Sequence, residues 1–99
     1  MSDDWGFAVP AFQPDEALQR LRRDLRALGL TEREGCFERR GVAIARVAVD
    51  GAVLKAAVVK RPSRSSPEWM ASALANSAQV RDFVARLKTN LAAWSERDD

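Results

Sequence analysis

Ninety-nine residues, 46% hydrophobic and 30% charged, make one domain able to bury a core without metal or disulfide staples. The chain has no histidine and a single cysteine, which excludes histidine catalysis, histidine metal ligation, an intrachain disulfide and a cysteine-rich zinc site within one chain. Net charge is only +2, but residues 1–16 carry −4 and residues 35–67 carry +5, so an acidic start precedes a basic middle.

Residues 1–13 set Trp5, Phe7, Val9 and Phe12 among Gly, Pro and acids. They read as an irregular N-terminal arm, followed by a single domain over 14–97. The first residues lack the basic and apolar regions of a signal peptide. No apolar run approaches the roughly 20 residues that span a bilayer. A cytoplasmic protein with no membrane contact is expected.

A short helix is predicted from Pro14 to Leu28. Proline suits the first helical position, and Asp15 and Glu16 oppose the positive end of the helix dipole. Leu18, Leu21, Leu25 and Leu28 form one apolar stripe. Gly29 is a natural left-handed stop, with Leu30 placed to touch Leu25 in a Schellman cap.

A three-stranded antiparallel meander is predicted next. Asp50-Gly51 is a two-residue hairpin signal. It pairs Val49 with Ala52, Val47 with Leu54, Ala45 with Ala56 and Ala43 with Val58, an apolar face turned to the core. The second face pairs Ala48 with Val53, Arg46 with Lys55, Ile44 with Ala57 and Val42 with Val59. A three-residue turn at Arg39-Arg40-Gly41 would set Phe37 beside Ala43 and Glu34 opposite Arg46. Glu34 would then relieve the like charges of Arg46 and Lys55.

Residues 60–66 read as a basic linker. Ser66-Pro67-Glu68 has the pattern of a helix start. Met70, Ala73, Ser77, Val80, Val84, Leu87, Leu91 and Trp94 continue at spacings of three and four, predicting one long C-terminal helix. At about 28 residues it would measure ~42 Å, against ~26 Å for an eight-residue strand. It overhangs the sheet unless it breaks near Asn76-Ser77. The predicted fold is α+β in the order α-β-β-β-α, with the helices packed on one face.

Two surfaces are candidates for function. The first is basic: Arg22 and Arg26 on the first helix, the Arg39-Arg40 turn, and Lys60, Arg61 and Arg64 in the linker. Phosphate neutralisation with counterion release supplies much of nucleic-acid affinity, and these clusters are candidate contacts. The element order over about residues 14–90 resembles the double-stranded-RNA-binding domain, which implies duplex contacts from the first helix, the first β-turn and the start of the last helix. The sequence departs from that family where its last helix is lysine-rich, having Ser66-Pro67-Glu68-Trp69 instead, and the Gly-Pro-x-His turn is absent. The order also resembles small bacterial nucleoid-associated proteins, through Gly41-Val42 to Asp50-Gly51. The plainer reading is a solvated arginine-rich surface.

The second candidate is an interface made of Val42, Ile44, Val53 and Val59 on the second sheet face, with Leu91 and Trp94 on the helix overhang. Its expected occupant is the arm or a second subunit. Cys36, with no histidine partner, reads as an inert half-buried thiol. The expected protein is a small non-enzymatic binding or interaction protein without metal or cofactor, self-associating as a homodimer. Nucleic-acid binding is the alternative.

Overall fold

The computed structural model describes residues 12–97, and the sequence readings for residues 1–11 lie outside them. Among the described residues the chain is α+β, with two helices and five strands. Helix α1 (Pro14–Ala27) carries Pro14 in its first turn and buries Leu21 and Leu25. It ends in the predicted Schellman motif: the Gly29 N–H donates to the Arg26 carbonyl at 3.0 Å, and the Leu30 N–H to that of Leu25 at 3.4 Å. Gly29 has φ +92°, a conformation that excludes most side chains.

The sheet is a five-stranded antiparallel meander, not a three-stranded one. Strands β1 (Thr31–Arg33), β2 (Cys36–Arg39), β3 (Val42–Asp50), β4 (Val53–Val59) and β5 (Trp69–Leu74) lie side by side in chain order. Glu34-Gly35 separates β1 from β2, with φ of 52° and 80°. Arg40-Gly41 separates β2 from β3, with 56° and 79°. Positive φ at both central residues matches the tight type I′ geometry. The second turn therefore takes two residues rather than three, and Arg39 pairs with Val42. The third hairpin turns at Gly51-Ala52 instead of Asp50-Gly51, with Asp50 paired to Val53. A two-residue shift keeps the side chains from Ala45 onward on their predicted faces, so Ala45, Val47, Leu54 and Ala56 are buried as the alternation requires.

Two details of the register reshape the sheet. Arg46 pairs with Cys36 and Ala57, and Lys55 with Ala48, so the predicted Glu34–Arg46–Lys55 row does not form. Arg46 instead lies over the Trp69 indole, 4.1 Å from its centroid. Between β2 and β3 the pairing slips after Phe37, leaving Ile44 without a partner on β2. This bulge breaks the alternation, and Ile44 and Ala45 are both fully buried. Val42 pairs with Arg39, whose guanidinium reaches the Leu91 carbonyl on the second helix. The bulge thus rotates Val42 onto the helix-facing side.

The predicted long helix is a strand followed by a shorter helix, α2 (Ser77–Arg97). Residues 69–74 pair with β4, from Val59 opposite Trp69 to Leu54 opposite Leu74. The break falls at Asn76-Ser77. Asn76 Oδ1 accepts the Gln79 N–H at 2.9 Å, and Gln79 Oε1 accepts the Ala75 N–H at 2.7 Å. This is a variant of the reciprocal capping box. The core joins Leu21, Leu25 and Leu30 to Phe37, Val47 and Leu54, and α2 adds Val80, Phe83, Leu87, Leu91 and Trp94.

Candidate functional site

The basic residues divide into two groups. Arg22 and Arg26 converge on Glu32 of β1, with N–O distances of 2.8 and 3.1 Å. Glu32 keeps 14% of its side-chain surface exposed against 41% and 52% for the arginines. The pairs anchor α1 to the sheet edge and draw two predicted contacts into the scaffold. Their partial exposure limits each to under about 1 kcal/mol. Arg39 is also engaged, donating to Ser95 Oγ at 2.7 Å and the Leu91 carbonyl at 3.3 Å. It ties the β2–β3 turn to the last turns of α2, where a cation complements the helix dipole.

The second group surrounds a cleft of about 360 Å³ lined by Arg39, Arg40, Val42, Ile44 and the linker residues Pro62 to Arg64. The sequence separates turn and linker by some twenty residues. The β3–β4 hairpin returns the chain, so that the two meet. Inside the linker, Ser63 Oγ accepts the Ser66 N–H at 3.0 Å, so Ser66 begins no helix. Lys60 and Arg61 are exposed at its start, and the Lys60 N–H donates to the Glu68 carbonyl at 2.9 Å.

Of the apolar candidates, Ile44 and Val59 are fully buried, and Leu91 and Trp94 are 7% and 8% exposed. All four sit in the core of one chain. Val42 and Val53 are half-buried. Val59 lies beside its cross-strand partner Trp69, so one end of the second face is covered by a strand that the helical reading had removed from the sheet. The middle of that face is an alanine floor, Ala48, Ala57, Ala71 and Ala73, bordered by Arg46 and Lys55.

The feature that sequence reasoning missed is the outer edge of β5. Among the described residues no strand pairs with it. It carries no charged side chain from Trp69 to Leu74, and Met70 is 45% exposed. Met70 borders a groove of about 430 Å³ between β5 and α2, floored by Val58, Phe83 and Leu87. The alternation of Trp69, Ala71 and Ala73 against Met70, Ser72 and Leu74 was the available signal, masked by small residues that suit either structure.

Cys36 is half-buried. Burial, reinforced by Glu38, holds its thiol above the ordinary 9.0, and Arg46 and Arg33 oppose the shift. Iodoacetamide at neutral pH should modify it more slowly in the folded chain than in urea, since the thiolate is the nucleophile. Equal rates would contradict this environment. Raising the pH past 9.0 ionises the unfolded thiol first, so this group lowers stability there and contributes nothing at neutral pH.

Among the described residues, no three His, Cys, Asp or Glu side chains are grouped to hold a metal ion. No helix among them is long and apolar enough to cross a membrane. The five-strand order also removes the α-β-β-β-α likeness to the double-stranded-RNA-binding domain. No protein-family model, curated protein or solved structure matches the chain.

Proposed function

We propose that this is a small non-enzymatic interaction protein that works as a homodimer. The observation supporting this reading is the uncharged, six-residue outer strand β5. Sheets normally blunt such an edge with charge, proline or a cover, because its unpaired peptide groups recruit another strand. The exposed Met70 within it adds apolar surface that association would remove from water. Sedimentation from low to high micromolar concentration should show the mass rising toward twice that of one chain. A single-chain mass throughout would reject the reading.

A second reading, nucleic-acid binding, draws support from the cleft that gathers Arg39, Arg40 and Arg64. Backbone binding requires several cations on one surface and weakens steeply with salt. Retention on RNA or DNA at low salt should fall when Arg40, Lys60, Arg61 and Arg64 are neutralised. The salt slope should drop by about one for each side chain that had neutralised a phosphate. No retention at low salt would reject this reading.

A further inference from the structure

We infer that two copies join edge to edge through β5, in antiparallel register about a two-fold axis at Ala71, to form one ten-stranded sheet. This rests on the homodimer reading and specifies its interface.

The direction of each peptide group follows from the ladder. The Lys60 N–H donates to the Glu68 carbonyl, and Val59 opposes Trp69 through to Leu54 opposite Leu74. Antiparallel pairs alternate between bonded and non-bonded. The N–H and C=O groups of Met70, Ser72 and Leu74 therefore point toward β4. Those of Trp69, Ala71 and Ala73 point outward.

The outward row is bounded at both ends. Two residues before Trp69 stands Pro67, which has no N–H. Two residues after Ala73, the Ala75 N–H is taken by Gln79 Oε1 at 2.7 Å. The available donors are therefore those of Trp69, Ala71 and Ala73, and the row is centred on Ala71. A two-fold axis normal to the sheet keeps each face on its own side, so paired residues must share a face. Ala71 opposite Ala71 of the second copy meets this condition and uses all three outward units twice, giving six backbone hydrogen bonds. An axis at Met70 or Ser72 leaves outward groups against Pro67 or the capped Ala75.

The side chains accept this register. Trp69 falls beside Ala73 of the second copy, Met70 beside Ser72, and Ala71 beside its equivalent. No charges oppose one another within the segment, since it carries none. Self-complementarity about one point favours a second copy over an unrelated peptide, which would need no such centring.

Three variants test the interface by sedimentation at high micromolar concentration. Ala71→Pro removes an outward donor but no bond to β4 and suits an edge position; it should run as a single copy. Ala71→Lys keeps every backbone bond within the chain and sets like charges together at the axis; it should likewise lose the dimer, with an unchanged circular dichroism spectrum. Ala71→Cys with Cys36→Ala should cross-link into a dimer with a short thiol-specific bifunctional reagent, since bonded antiparallel partners lie about 5.5 Å apart at Cα. A parent chain that is always a single copy overturns this proposal and the homodimer reading together. A dimer that survives Ala71→Lys, or one that Ala71→Cys fails to cross-link, overturns the β5 interface while leaving the homodimer reading standing.

Discussion

Replacing Phe37 with alanine is expected to cost the fold about 3–5 kcal/mol. Phe37 is the largest of the fully buried side chains and sits between Glu32 and Ala45 in the ladder. Its truncation removes apolar contacts and leaves a cavity that flanking strands, pinned by two tight turns, cannot readily close. A domain of this size has a total stability of roughly 5–15 kcal/mol, so the loss takes a large share of it and the variant should unfold at a clearly lower urea concentration than the parent. Phe37→Leu keeps most of the volume and should lose less. The check is a pair of urea titrations with the slope compared to the parent. A Phe37→Ala loss below about 1 kcal/mol would show that the site relaxes around the void.

The parts of the fold legible in the sequence are those where one residue type has one physical job. Pro14 and Gly29 bracket α1 because one suits the first helical turn and the other the left-handed stop. Gly51 marks a hairpin, and a two-residue error in its pairing register left the faces intact because the strand period is two. The β1–β2 turn was harder to read. Glu34 occupies a positive φ of 52°, where Asn or Asp is the usual signal, so it read as a strand residue opposite Arg46 rather than as part of a turn. The bulge at Ile44 was invisible for a different reason. Nothing in Val42-Ala43-Ile44-Ala45 distinguishes even alternation from a slip. The slip moves Val42 onto the core side and with it the expected composition of the second face.

The candidate surfaces were legible as residues but not as places. Basic charge in the middle of the chain was evident, yet its division between the Glu32 pairs, the α2 C-terminus and the linker cleft depends on which strands are neighbours. The β5 edge was hidden because an amphipathic helix and an edge strand of small residues share much of their composition, and Met70, Ala73 and Ser77 happen to extend the α2 stripe backward. The length mismatch between the long helix and the sheet was the physical warning. Asn76 with Gln79 three residues later was the capping signature that locates the break.

The strand and the helix differ in what they do with Met70. On a continuous helix Met70 joins the buried stripe, with Leu74 about 40° from it on the same side. On β5 Leu74 is 3% exposed and Met70 is 45% exposed. Leu74→Ala should therefore destabilise by about 2–5 kcal/mol, because its side chain pairs with Leu54 and joins the core cluster with Val80 and Phe83. Met70→Ala should change the stability of the single chain by no more than about 0.5 kcal/mol. Because Met70 also borders the proposed interface, both variants should be measured where the chain is a single copy, at low micromolar concentration or in the Ala71→Lys background. Met70 should then matter only when concentration is raised, which separates its role between copies from any role in the core. A larger loss from Met70 than from Leu74 in the single chain would return residues 69–74 to the helix and remove the edge on which self-pairing depends.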